Sequence, residues 1–233
     1  MKKNTQVITF TDAWNSNGVM LEPIPASKLI PEWYKKQNAY VNDKKEPTDA
    51  GGSSATIKKC MPVFDSMNLG YLLLLPADVY VSQKDGFPFY KWVNFDLISF
   101  HPVEQADKHP LNNGAAFAKF VNPWAIKTPK GYSCLFVEPF HRDLPFNVLG
   151  AVVDTDKYTA PVNIVFVLKD VNFTGLIPKG TPIAQIIPFK RNNWEMAIGK
   201  KSDFEEQFNV SRMLNTVFFD RYKTMFRTLK EYK

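Results

Sequence analysis

The chain has 233 residues, 45% hydrophobic and 22% charged, enough to bury roughly 70% or more of its unfolded surface around one core. That balance excludes disorder, collagen and coiled coil as whole-chain descriptions. The 29 Lys and Arg against 23 Asp and Glu leave a formal +6, carried mostly by Lys, with Arg only at 142, 191, 212, 221 and 227. A dedicated nucleic-acid binder concentrates more basic charge on one face, so DNA or RNA stands well behind other partners.

Aromatics at 14%, with 19 Phe, favour strands and packed β-layers over a helical bundle. Cys60 and Cys134 stand far apart in no metal-ligand or redox spacing, which argues against a disulfide scaffold or thiolate zinc site and for a reducing, cytoplasmic location. Met1-Lys2-Lys3 has the charge of a signal n-region, but residues 4–14 supply no apolar h-region. The longest apolar runs are strand-sized, so no membrane span is expected.

In chain order, a β-like stretch at Val7 to Phe10 precedes a Pro-punctuated segment, and Pro31 opens a short helix carrying Trp33. Residues 42–56 hold charge, Pro, Gly and Ser without periodicity and read as a solvated loop. Between residues 57 and 189 the sequence predicts strands at 71–75, 79–82, 89–93, 97–100, 116–120, 133–137, 162–168 and 181–188. Turn residues separate them, including Asp85-Gly86 and two Pro-Lys-Gly corners, at 129–131 and 178–180. The 181–188 strand, with its Ile183, Ala184, Ile186 and Ile187 run, is expected in a sheet interior.

After Ser202 the period changes. Ser202-Asp203-Phe204-Glu205 is a capping-box pattern, and Leu214, Phe218, Tyr222, Met225 and Leu229 recur at helical spacing. The expected architecture is thus mainly β: an N-terminal extension and loop (1–56), a barrel or sandwich body (57–189), and a C-terminal region (190–233) whose amphipathic helix packs on the body or on a neighbour.

Two segments carry a family resemblance. Gly180-Thr181-Pro182-Ile183-Ala184-Gln185-Ile186-Ile187 and Ala151-Val152-Val153-Asp154-Thr155-Asp156, preceded by Pro129-Lys130-Gly131-Tyr132, resemble the β-clip domain of the dUTPase and dCTP deaminase superfamily over about residues 129–189. The resemblance implies a β-clip-like body in which the Asp turn approaches the segment after residue 137. Departures from the family pattern leave the catalytic set of either enzyme incomplete: Glu138-Pro139-Phe140-His141-Arg142 replaces Pro-Arg-Ser, and Val162-Asn163-Ile164-Val165-Phe166 has no carboxylate where the deaminases place a general base. The Gly-rich C-terminal arm that closes over the nucleotide in trimeric dUTPases is missing as well. Over most of its length the chain also resembles an uncharacterised family of bacterial and tailed-phage proteins, through Ile30-Pro31-Glu32-Trp33-Tyr34, Lys59-Cys60-Met61-Pro62 and Asn122-Pro123-Trp124. That implies a phage or prophage origin, with action in the host cytoplasm or in the virion.

On these grounds any ligand site is expected at His141, Arg142, Asp154 and Tyr158, with Gln185 nearby. Arg142 supplies a donor fork for an anion, His141 a proton-sensitive donor, Asp154 an acceptor and Tyr158 an aromatic face. The competing reading pairs Arg142 with Glu138 or Asp143 and lets Asp154 close its own turn. His101, Glu104 and His109 have ligand chemistry but lie in a Pro-bounded loop, and a solvated loop outweighs a zinc site. No metal and no cofactor are expected, since dinucleotide, Walker and nucleophile-elbow motifs are missing. A non-catalytic binding or assembly protein ranks first, with a small anionic or nucleotide-like ligand and a protein partner or homo-oligomer as its candidate contacts. A nucleotide-directed hydrolase, or a counter-defence protein that captures a phosphorylated signal, is the alternative.

Overall fold

The computed structural model describes residues 5–46, 54–93, 96–200 and 222–233. Mainly β, it divides into two compact units that do not follow chain order: one joins residues up to Ala26 with Gly70–Arg191, and the other takes Ser27–Leu69 with residues from Asn192 onward. The β-rich unit thus draws strands β1 (Thr9–Asp12) and β2 (Ile24–Pro25) from the residues up to Ala26 as well as those within Gly70–Arg191.

Its largest sheet is antiparallel and five-stranded, in the order β11 (Ala151–Val153), β9 (Tyr132–Val137), β14 (Pro182–Lys190), β3 (Tyr71–Leu74), β2 (Ile24–Pro25). The interior position expected for residues 181–188 is observed: Pro182 through Ile187 are all buried between β9 and β3. A four-stranded sheet runs β10 (Phe146–Val148), β12 (Ile164–Leu168), β7 (Ala118–Phe120), β6 (Ile98–Phe100). A three-stranded sheet runs β13 (Gly175–Ile177), β4 (Val79–Lys84), β5 (Phe87–Trp92). A two-stranded ribbon pairs β1 (Thr9–Asp12) with β8 (Trp124–Lys127).

One apolar cluster draws on all three larger sheets, through Leu73, Ala184 and Ile186, Phe120, Phe146 and Phe166, and Val79, Val81 and Tyr90. The phenylalanines explain the aromatic content. Phe120 and Phe166 stack at 3.9 Å, Phe146 meets both edge-on at 5.1 and 5.5 Å, and Tyr90 meets Phe166 at 5.9 Å. Such ring pairs add about 0.5–1.5 kcal/mol each beyond area burial.

Turn chemistry matches the residues. Asp85 and Gly86 both have positive φ, 53° and 81°, as a two-residue I′ hairpin between β4 and β5 requires. Both Pro-Lys-Gly corners are the same device: Tyr132 N–H donates to Pro129 O and Thr181 N–H to Pro178 O, each at 3.1 Å. Gly131 and Gly180 take φ of 86° and 84°, the third position of a type II turn.

In the second unit, Pro31 caps α1 (Glu32–Lys36), where Tyr34 is buried and Trp33 is 40% exposed. Tyr34 stacks on Phe64 of α2 (Met61–Asn68) at 5.6 Å and donates its hydroxyl to Lys58 O. Buried Asp65 of α2 accepts from Arg227 (2.6 Å) and Lys230 (2.9 Å), and the Arg227 bond holds its carboxyl below the usual range. The helix expected from Ser202 falls mainly on residues 201–221, outside the described residues. After them, Tyr222–Phe226 forms one π-helical turn, and Met225 and Leu229 of the expected apolar stripe are 66% and 63% exposed.

Close approach makes Gly70 critical to the main sheet. Its φ is +71°, and a Cβ there would lie 2.0 Å from the Ile186 carbonyl oxygen. Gly70→Ala is expected to destabilise the protein by on the order of 3 kcal/mol, whereas Gly86→Ala, with open space around it, costs only about 1 kcal/mol. Urea denaturation of both variants checks the contrast; equal midpoints would refute it.

Candidate functional site

Strand β9 carries polar groups at both of its ends. At its start, antiparallel pairing sets Val153 of β11 opposite Cys134 and Phe189 of β14 opposite Ser133. The turn after β11 and the residue after β14 therefore meet beside Ser133. Asp156 is only 4% exposed and accepts Arg191 Nη1 at 2.8 Å, Arg191 Nη2 at 2.5 Å and Gly131 N–H at 2.8 Å. Asp154, 49% exposed, accepts the Ser133 hydroxyl at 2.7 Å and lies 3.1 Å from Arg191 Nη1. Arg191 also donates to Ser133 Oγ and Tyr132 O.

The electrostatics follow from these contacts. The Arg191 guanidinium, and next the Gly131 N–H, hold the Asp156 carboxyl far below the ordinary carboxylate range. The Ser133 hydroxyl leads in lowering Asp154, and Asp156 raises Arg191. Beneath them Thr155 is buried, shares a hydrogen bond with Thr128 (2.8 Å) and donates to Cys134 Sγ. Burial pushes the Cys134 thiol up, so it is a poor source of thiolate.

The other end of β9 holds the second group. Val137 lies opposite Gln185, a fully buried side chain whose Oε1 accepts the Phe140 N–H at 3.0 Å. Arg142 Nη1 donates to Phe140 O at 3.0 Å, and burial pulls its guanidinium down to about 10. His141 is exposed with a φ of +57°. Glu138 accepts from Lys169 at 3.1 Å and from the Val148 N–H.

Gln185 thus joins the segment bearing His141 and Arg142, while exposed Tyr158 is tied to Asp154 by its backbone N–H (2.8 Å). The two groups are anchored at opposite ends of β9, where Ser133 and Val137 are about 13 Å apart by strand rise. Asp154 does more than close its turn, since its carboxylate faces Ser133 and Arg191. Arg191 and Ser133 are the residues that sequence reasoning missed. The available signal was the scarcity of arginine and the position of Arg191 directly after the long apolar strand β14.

His101 and His109 lie elsewhere in the same unit, on the rim of a hollow of about 410 Å³ floored by Phe117, Leu149 and Val165. His101 Nδ1 meets Gln105 Oε1 at 2.6 Å, and His109 Nδ1 accepts the Leu111 N–H at 3.1 Å. Among the described residues no group of three or more His, Cys, Asp or Glu is placed to hold a metal ion, and no helix is long and apolar enough to cross a membrane. No protein-family model and no curated protein matches the chain.

Because Asp156 titrates lower in the folded chain than its unfolded value of about 3.9, the Arg191 cluster stabilises the fold above that pH. The contribution is lost as pH falls through the lower folded value. Thermal denaturation from pH 7 to 2 should therefore show a Tm gap between the wild type and Arg191→Met that is full at pH 6–7 and narrows below about pH 4. A gap independent of pH would assign the loss to packing alone.

Proposed function

We propose that this protein is a non-catalytic binding or assembly protein, of phage type, on a β-clip-like scaffold akin to that of the dUTPases and dCTP deaminases. The observation that supports the reading is the internal engagement of Asp156 in the acidic turn. A carboxylate that activates water or orients a sugar must present free lone pairs to the ligand, whereas Asp156 spends its oxygens on Arg191 and Gly131. Asp154 keeps one exposed side, while its Oδ1 is taken up by the Ser133 hydroxyl and Arg191. The turn then acts as a fastener between β9, β11 and the end of β14, and the same two segments that carry the resemblance are the ones it joins.

The β-clip assignment itself rests on the quoted residues, together with the placement of β11 and β14 on either side of β9. Such a likeness of scaffold transmits no activity by itself. The second reading, capture of a small anionic or nucleotide-like ligand, has one observation in its favour. Arg142 is a partly desolvated guanidinium in a loop bent through positive φ at His141, and anions bind more strongly where water is excluded.

Pyrophosphate release from dUTP and deamination of dCTP are expected to stay at the uncatalysed background. Turnover near ~10 s⁻¹, typical of enzymes, would overturn the non-catalytic reading. A nucleotide panel in thermal denaturation decides the second reading. A ligand at 100 times its Kd adds about 2.7 kcal/mol, roughly 5–10 °C for a chain of this size, and Arg142→Met should abolish such a shift.

A further inference from the structure

The three-stranded sheet has one face in the core and one in solvent. Val79, Val81, Tyr90 and Ile177 are buried, so strand alternation turns Tyr80, Lys84, Phe87, Phe89 and Lys91 outward on the opposite face. Cross-strand register sets Tyr80 opposite Lys91, Ser82 opposite Phe89, and Lys84 opposite Phe87. Tyr80 is 55% exposed, Phe87 57% and Phe89 40%. Rings and ammonium groups therefore interleave on a single pleated surface. Lys84 Nζ and Lys91 Nζ lie 5.6 and 5.7 Å from the centre of the Phe89 ring. Beside Tyr80 and Lys91 the surface dips into a hollow of about 480 Å³ that Trp92 and Val93 also line.

We propose that this face binds single-stranded nucleic acid, with bases stacked on Tyr80, Phe87 and Phe89 and phosphates held by Lys84 and Lys91. The proposal supplies a partner for the binding reading above and rests on it.

The physical case has three parts. Exposed aromatic side chains cost solvation unless a partner covers them, and a base is a flat π-surface that does so without requiring a matching sequence. An ammonium beside a stacking ring places positive charge where the phosphate of a stacked nucleotide runs. No ion pair engages either lysine among the described residues, and Asp85, next to Lys84, sits in the hairpin turn. A polyanion complements that charge. A second copy does not, because a two-fold contact through this face would set the two lysines of each copy against each other. Duplex is a poorer fit as well, since its bases are already stacked.

Fluorescence anisotropy with labelled oligo-dT and oligo-U of about 12 nucleotides tests the proposal on the full chain. Expected are saturable binding that weakens with salt, tighter than to a duplex of equal length, and a loss of about 5- to 100-fold in affinity for Phe89→Ala or Tyr80→Ala. Lys84→Gln and Lys91→Gln should each lower the slope of log K against log salt by about 0.7. Circular dichroism and Tm confirm that these solvent-facing variants stay folded. Failure of either oligonucleotide to bind overturns the proposal. So does binding unaffected by the ring substitutions, binding only to anionic phosphatidylserine vesicles, or a dimer in light scattering that Phe87→Glu dissociates. Oligonucleotide failure with silent nucleotide turnover leaves the binding reading standing without this partner, whereas nucleotide turnover overturns the binding reading itself.

Discussion

Strand β14 must be paired on both edges and buried for most of its length, and most of the β-rich unit is arranged to meet that requirement. Burying a strand hides its amides as well as its side chains, and each hidden amide needs a partner. β9 and β3 provide these by antiparallel pairing. The approach on the β3 side is close enough that only glycine fits at position 70. Gln185, a polar side chain at the centre of the strand, would be costly there without the Phe140 amide to satisfy it.

The same constraint explains the charged cluster at the strand's end. β14 leaves the sheet at Arg191, and a partly buried guanidinium needs carboxylates that can meet its fork. The turn after β11 supplies two. The acidic turn thereby helps to hold three strands together, and its lowered carboxyls follow from those contacts. Perturbed carboxylates identify catalytic sites only where something is left for the substrate to meet.

Side chains that neither the core nor the ion-pair cluster engages lie where the fold turns them outward. The inner face of the three-stranded sheet joins the aromatic core, and its outer face keeps rings and lysines in water. Modest net charge does not describe such a face, because affinity for a polyanion depends on local placement of a few cations beside stacking surfaces and not on the sum over the chain.

The sequence by itself determined the β character, eight of the strands and the turns between them, since alternation, Pro-Lys-Gly and Asp-Gly act over a few residues. It also marked β14 as interior, through an apolar run that solvent would not tolerate. Strands β2, β8, β10, β11 and β13 were not legible, because none lies in an apolar run long enough to stand out from the turns around it. Nor was the recruitment of residues before Ala26 into the β unit. In the candidate site, Asp154 and Gln185 stood out by motif, but Arg191 and Ser133 acquired their roles only when antiparallel pairing brought distant segments to one end of β9. The outer aromatic face was likewise decided by tertiary structure. Tyr80, Phe87 and Phe89 belong to apolar-looking runs, and only packing of Val79, Val81 and Tyr90 into the core determined which side of the hairpin faces water.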